Sequence, residues 1–177
     1  MDSSPMPFEL EHDGSAPRKT NLRMDWSELN EGPVVLVVED HEDTRAMLKV
    51  YLEMGGCRVL EADNGATAVE LAETARPDIV LMDARLPVLD GLSATLRIRS
   101  NSSLDHIPII ALTGNAAPQF EKEMIAAGCD YCLIKPLDFA QLTDLIGSLW
   151  FQRAAINSPA KYPLMLRRPG PIVGWAG

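Results

Sequence analysis

Short apolar runs alternate with helical patterns through the middle of the chain. Several of the runs are apolar throughout, which is typical of strands covered on both faces. The five predicted strands are VVLVV (34–38), CRVLE (57–61), DIVLM (78–82), IPIIAL (107–112) and YCLI (131–134). Because a helical pattern follows each run, right-handed crossovers favour one parallel sheet with helices on both faces. The pattern therefore predicts an α/β fold with a doubly wound, five-stranded parallel sheet.

Two of the predicted helices carry an apolar stripe at helical spacing. In the first helix the stripe is Met47, Val50, Tyr51 and Met54, and in the last it is Phe139, Leu142, Ile146 and Leu149. We expect both stripes to face the core, with no cofactor role for the two methionines. The three other helices are predicted at 66–75, 92–100 and 118–127, each bounded by Gly, Pro or Asn.

The same pattern places one domain at residues 33–150. Residues 1–32 contain Ser, Pro, Asp and Gly without a period, and we predict a disordered N-terminal extension there. Residues 151–177 carry basic residues with recurrent Pro and Gly, which predicts a disordered tail rather than a helix.

Composition and charge narrow the class of protein. Apolar residues make up 46% of the chain, enough for a packed core, and three cysteines are too few for a disulfide scaffold. The start of the chain has no secretory pattern, and no apolar run approaches a membrane span. The net charge of −9 argues against nucleic-acid binding. We expect a cytoplasmic domain without nucleic-acid or membrane partners.

Polar side chains follow the predicted strands at their carboxyl ends. Glu39 and Asp40 follow the first strand, Asp83 the third, Thr113 the fourth and Lys135 the fifth. In an open parallel sheet, ligands bind beyond this edge. The sequence therefore predicts that three acids, a hydroxyl and an ammonium group converge there.

These residue types favour phosphoryl chemistry. Three clustered carboxylates repel one another, and a hard divalent cation, Mg²⁺ above all, relieves that repulsion and leaves positions open for phosphate oxygens. Lys135 adds a positive charge and Thr113 a hydroxyl donor. Phosphoryl transfer depends mainly on positioning and charge neutralisation, and a central carboxylate such as Asp83 can act as the nucleophile. The residues thus predict a phosphoryl acceptor.

Four motifs carry a resemblance to a known family. The segments VVEDHEDTR, DIVLMDARLPVLDG, IIALTGN and CLIKP resemble the receiver domain of two-component response regulators, over residues 33–150. The resemblance implies a flavodoxin-like fold with strand order 2-1-3-4-5 and a cis bond between Lys135 and Pro136. It also implies the site roles: Asp83 as the phosphorylated residue, Thr113 as the switch hydroxyl, Lys135 as the phosphoryl contact, and Mg²⁺ held by Glu39, Asp40, Asp83 and the backbone carbonyl of Arg85.

The resemblance also implies partners. The family takes its phosphoryl group from a histidine kinase or a histidine phosphotransfer protein. We expect a stand-alone receiver that is not an enzyme and that signals to a separate, unknown protein by a conformational change.

One position departs from the family pattern. The family usually has Tyr or Phe three residues before the lysine, where this chain has Cys132, with Tyr131 one residue earlier. A one-residue offset in a strand directs the side chain to the opposite face of the sheet. We therefore expect that Tyr131 does not replace the usual aromatic switch.

Several alternatives stay open. The chain could be a degenerate receiver used as a docking module, or a phosphatase with Asp83 as nucleophile, although Arg85 occupies the position of the general acid such an enzyme needs. A flavin protein is disfavoured because no phosphate-binding loop follows Val38. The C-x-x-C of Cys129 and Cys132 could be redox-active or half of a zinc site, but the structural interpretation is favoured. Exposed loop positions are expected for His41 and His106, and helix-terminal roles for Glu42 and Asp43.

Overall fold

The computed structural model of the chain describes residues 32–157, with side chains up to residue 153. Its five strands form one parallel sheet in the order β2-β1-β3-β4-β5. This confirms the predicted fold class and strand order. The strands are β1 (Val34–Val38), β2 (Arg58–Ala62), β3 (Ile79–Asp83), β4 (Ile109–Thr113) and β5 (Tyr131–Ile134). The middle three strands end one residue later than predicted, so Asp83 and Thr113 are the last residues of their strands.

Five α-helices connect and cover the strands, as α/β doubly wound folds require. They are α1 (Glu42–Met54), α2 (Gly65–Ala75), α3 (Gly91–Arg99), α4 (Pro118–Ala126) and α5 (Phe139–Asn157), and a short 3-10 helix at Ser102–Leu104 follows α3. Several helix starts follow from local capping. Asn64 caps α2 by accepting from the Thr67 N–H, and Asp90 caps α3 in the same way through Ser93. Among the described residues, no helix combines the length and the apolar character that crossing a membrane requires.

The sheet separates two hydrophobic cores. One core lies under α1 and α5, and its helix residues include Leu48, Leu52, Leu142 and Ile146. The other lies under α2, α3 and α4, and its helix residues include Ala68, Ala72, Ala94, Ile98 and Met124. Because β1, β3 and β4 contribute alternate residues to both cores, their sequences are apolar up to the polar residue, Asp83 or Thr113, that ends β3 and β4.

The stripe predicted for α1 was wrong. Met47, Val50, Tyr51 and Met54 are 50%, 56%, 36% and 84% exposed, whereas Leu48 and Leu52 are buried against the sheet. The helix carries two apolar stripes, and only one of them can face the sheet. The exposed stripe is covered in part by α5, since the Tyr51 ring lies 4.5 Å from the Phe139 ring. The stripe predicted for α5 does line the core.

The last helix continues beyond residue 150, where the tail was predicted to begin. Helix α5 ends at Asn157, before the first proline of the tail. Arg153 anchors its final part to the loops that precede β3 and β4, because its guanidinium donates to the carbonyls of Asp78 and His106, at 3.2 Å each. The remaining residues of both predicted tails, 1–31 and 158–177, lie outside the described residues.

Candidate active site

The parallel register brings the predicted site residues to one edge of the sheet. Val38 pairs with Met82, Asp83 with Leu112, and Thr113 with Ile134. The polar residues at the ends of these strands therefore meet at the carboxyl edge, as expected from the topology. Glu39 and Asp40 follow β1, Asp83 and Thr113 end β3 and β4, and Lys135 follows β5.

The ammonium group of Lys135 joins two carboxylates. Its Nζ donates to Glu39 Oε2 at 2.6 Å and also to Asp83 Oδ2. Burial alone would lower the pKa of Lys135, but the hydrogen bonds to Asp83 and Glu39 raise it above its usual value, so the ammonium stays charged. The Lys135–Pro136 bond is cis, as the resemblance implied, and the Lys135 N–H donates to the Thr113 carbonyl at 2.7 Å.

The carboxylate of Asp83 is held at both of its oxygens. Oδ2 accepts from Lys135, and Oδ1 accepts the backbone N–H of Arg85 at 2.8 Å. The start of α3 behind it requires glycine at position 91, because a Cβ there would lie 2.1 Å from the Asp83 carbonyl oxygen. The side chain is 10% exposed, so it is open at the edge of the sheet but otherwise fixed in place.

A group of atoms that could bind a metal ion lies beside Lys135. His41 Nδ1 is 2.9 Å from Asp40 Oδ1 and 3.3 Å from Glu39 Oε1, and one donor atom from each residue lies within 4.8 Å of the other two. The hydrogen bond to Asp40 raises the pKa of His41 above its usual value. Since Lys135 occupies only Oε2 of Glu39, Oε1 and Asp40 are available as oxygen ligands. This donor set fits a hard divalent cation such as Mg²⁺.

Two predicted site residues engage other partners. Thr113 is buried, and its Oγ1 accepts the backbone N–H of Asn115 at 2.9 Å, within the loop after β4. The side chain of Arg85 reaches toward the same loop, because its guanidinium lies 3.6 Å from the position that a Cβ on Gly114 would occupy. Direct contacts thus join Glu39, Asp83 and Lys135, whereas the Thr113 hydroxyl is bonded within its own loop.

One supporting residue was not found by the sequence analysis. Arg45 of α1 donates to the Glu39 carbonyl at 2.8 Å, and its Nε lies 3.5 Å from Glu61 Oε1 of β2. It therefore fixes the backbone at the acidic end of β1. The sequence places Arg45 one helical turn after His41, a position from which a long side chain can reach back to the strand end. The spacing between His41 and Arg45 is therefore the feature of the sequence that could have identified Arg45.

Tyr131 and Cys132 face opposite sides of the sheet, as their one-residue offset predicts. Tyr131 packs against the core under α1 and α5, and Cys132 packs against the core under α2, α3 and α4. Cys129 is buried, and burial raises the pKa of its thiol to about 11. All three cysteines are free, and a buried thiol of this kind is inert rather than reactive.

Comparison with known proteins agrees with this geometry. The family model described as "Response regulator receiver domain" matches residues 35–147. The chain belongs to the response regulator receiver family. It is 33% identical over 114 residues to the polar-differentiation response regulator DivK of Brucella anthropi, covering 64% of this chain and 93% of that relative.

Receivers attached to larger proteins are also similar. The chain is 36% identical over 129 residues to the autoinducer 1 sensor kinase/phosphatase LuxN of Vibrio campbellii, covering 73% of this chain but 15% of LuxN. Among solved structures, it resembles the receiver domain of a sensor histidine kinase from Pseudomonas aeruginosa PAO1, which has a magnesium ion in its active site cleft. The identity is 39% and the TM-score 0.63, covering 67% of this chain and 98% of that chain. The acidic residues at the carboxyl edge of this receiver's sheet, Glu39, Asp40 and Asp83, thus fit Mg²⁺ as the cofactor.

Proposed function

We propose that Asp83 accepts a phosphoryl group from a phosphohistidine of a histidine kinase or a phosphotransfer protein. The observation that carries this proposal is the contact of one ammonium group, Lys135, with both Asp83 and Glu39 at the carboxyl edge of a receiver sheet. A carboxylate held between an ammonium and a backbone N–H is positioned to attack phosphorus and does not rotate away. Membership in the family supports the same role.

In the proposed step, an oxygen of Asp83 forms a bond to phosphorus while the bond from phosphorus to the histidine nitrogen breaks. The electron pair of that bond returns to the imidazole of the donor. Lys135 then turns from the free carboxylate to an oxygen of the phosphoryl group, where its charge is most needed. We propose that Glu39, Asp40, Asp83 and the Arg85 carbonyl hold Mg²⁺, which when bound neutralises charge on the phosphoryl oxygens.

The signal is proposed to leave the site through Thr113. Its hydroxyl, now bonded to Asn115, can instead donate to a phosphoryl oxygen, which would draw the loop after β4 toward Asp83. Because Cys132 replaces the usual aromatic residue, an aromatic rotamer change in β5 does not take part. We propose that the loop and α4 carry the change to a downstream protein.

We propose that the site does not turn over substrate. Receiver domains are in general signalling modules. A phosphatase would need an acid two residues after the nucleophile, and that position is Arg85, whose backbone N–H binds Asp83. A docking module without phosphorylation would not need the contacts that Lys135 makes, so we favour the phosphorylated switch.

The proposed setting is the cytoplasm, where histidine kinases present their phosphohistidine. Three free cysteines fit a reducing compartment, and the net charge of −9 fits protein rather than nucleic-acid partners. The names of the relatives, a sensor kinase/phosphatase and a response regulator, support a place in a phosphoryl relay.

The test is incubation with Mg²⁺ and a small phosphodonor such as acetyl phosphate, followed by intact-mass measurement. We expect the mass to rise by one phosphoryl group in the wild type and in Asp90→Asn, and not in Asp83→Asn. Asp90→Asn is a matched control because it lies in the same loop and asparagine keeps the helix cap. No gain in any variant would favour a docking module, and continuous release of inorganic phosphate would favour a phosphatase.

A further inference from the structure

The outward face of α1 carries apolar side chains that the rest of the described chain leaves exposed. Met47 and Val50 are half-exposed, and Met54 is 84% exposed. They recur at i, i+3 and i+7, so they form an outer row along the helix, about 10 Å long. Helix α5 reaches the side of this row, where the ring of Phe139 packs against Tyr51. A continuous apolar row of this kind is typical of a surface that binds another segment.

The chain enters β1 beside the Met54 end of the outer row. Gly32 packs closely against the turn that follows α1, because a Cβ on Gly32 would lie 1.9 Å from the Gly56 carbonyl oxygen. The Arg58 N–H donates to the Pro33 carbonyl at 2.9 Å, which fixes this entry. Gly56 is two residues after Met54 in the sequence. The chain that precedes Gly32 is therefore tethered next to the C-terminal end of α1.

The segment before this tether has apolar residues at a matching spacing. Leu22, Trp26 and Leu29, which lie outside the described residues, recur at i, i+4 and i+7. This is the spacing of one helical face, and it spans the same number of residues as the outer row. Two residues separate Leu29 from Gly32, so their Cα atoms are at most about 11 Å apart. A tether this short gives the segment an effective concentration on the order of millimolar at α1, which favours it over a free partner.

We propose that residues 22–29 pack along the outer row of α1 as a helical segment, and that they close this face of α1 to other proteins. Leu29 is nearest to the tether, so it contacts Met54. Trp26 is one helical turn earlier, and it contacts Val50 in the same way. Removal of the indole and of the exposed apolar side chains from water drives the contact. A protein that binds this face of α1 must first displace the segment.

The first test uses Trp26 as a reporter in the full chain. The chain has three tryptophans, so the variant Trp150→Phe/Trp175→Phe retains Trp26 alone. A docked segment is open in about a tenth of the molecules or fewer, so we expect acrylamide to quench Trp26 at least about threefold less in the native protein than in urea.

Substitutions in the outer row locate the contact. Val50→Glu/Met54→Glu should remove the protection of the indole, because a buried carboxylate is costly and both positions are exposed enough for the domain to fold without the segment. Leu96→Glu/Ile125→Glu is the matched control. These two side chains are also exposed, but they lie on α3 and α4, across the sheet from α1, so the protection should stay at its original value.

The second test leaves the tryptophans unchanged, because Trp150 lies in the core. Hydrogen exchange of the full chain is followed by mass spectrometry on peptides that cover residues 22–29. We expect exchange in these peptides to be at least about threefold slower in the wild type than in Val50→Glu/Met54→Glu, and unchanged in the control variant.

The outcomes separate this contact from the other possible occupants. Quenching of Trp26 as strong as in urea, or protection that the substitutions in α1 leave unchanged, would overturn the proposal. A contact within one chain does not depend on concentration, so the protection should survive a dilution of about a hundredfold. Protection that disappears on dilution would identify a second copy of the chain as the occupant and would overturn the proposal as well.

Discussion

Replacing Lys135 tests how much its ammonium group stabilises the carboxylates of Glu39 and Asp83 when no metal ion is bound. In Lys135→Met the chain length is similar, but Glu39 and Asp83 lose the charge that lies between them. Their side chains are 1% and 10% exposed, so water cannot fully replace the lost interaction. Leaving a buried charge without its partner costs about 3–5 kcal/mol. Because the lysine side chain is itself 28% exposed, we expect a loss of about 2–4 kcal/mol.

The assay is thermal unfolding followed by circular dichroism in EDTA. For a domain of this size, each kcal/mol shifts Tm by about 4 °C, so we expect a drop of about 8–16 °C. Lys49→Met is the matched control, because Lys49 forms an exposed ion pair with Glu61 and should shift Tm little. Added Mg²⁺ should raise the Tm of Lys135→Met more than that of the wild type, since the acids of the variant lack a competing ammonium. A Tm for Lys135→Met within 2 °C of the control would mean that the ammonium does not stabilise the two carboxylates.

Three other predictions concern the loops and the thiols. Val88→Asn should raise the free energy of unfolding in urea by about 0.5–1 kcal/mol, because Val88 has φ of +65°, which asparagine tolerates better than valine. Val88→Thr should give no gain, since threonine is also β-branched. Gly91→Ala should cost at least about 2 kcal/mol in the same assay, since its Cβ would meet the Asp83 carbonyl; wild-type stability would contradict the loop geometry. With Ellman's reagent at pH 8, native protein should show one accessible thiol. Burial raises the pKa of Cys57 and Cys129 to about 11, so at pH 8 about one in a thousand of each of these thiols is ionised. Rapid reaction of all three thiols would contradict this prediction.

The fold could be predicted because the three inner strands of its sheet, β1, β3 and β4, are buried on both faces. Continuous apolar runs mark β1 and β5 at the residues where the structure has them. The pattern did not identify the buried face of α1, because that helix has two apolar stripes and the sequence does not show which of them the sheet covers. The end of α5 was missed because the prolines and glycines of the tail begin only at Pro159, whereas Arg153 still binds the loop before β3.

The site was predictable to the extent that topology determines it. Parallel strands bring their carboxyl ends together whatever the side chains do, so Glu39, Asp83 and Lys135 could be placed at one edge from the order of the elements. The partners of His41, Arg45 and Thr113 depend instead on rotamers and on where α1 and the loop after β4 begin. Those features come from three-dimensional packing, and a one-dimensional pattern does not contain them.

The proposed function requires that the carboxylate of Asp83 become an acyl phosphate. The most direct measurement is reduction of the phosphorylated protein with borohydride, which converts an aspartyl phosphate to homoserine, followed by peptide sequencing in a mass spectrometer. We expect homoserine at position 83 alone, formed only when Mg²⁺ and a phosphodonor were both present. Homoserine at another aspartate, or an unmodified Asp83 in protein that carries a phosphoryl group, would contradict it.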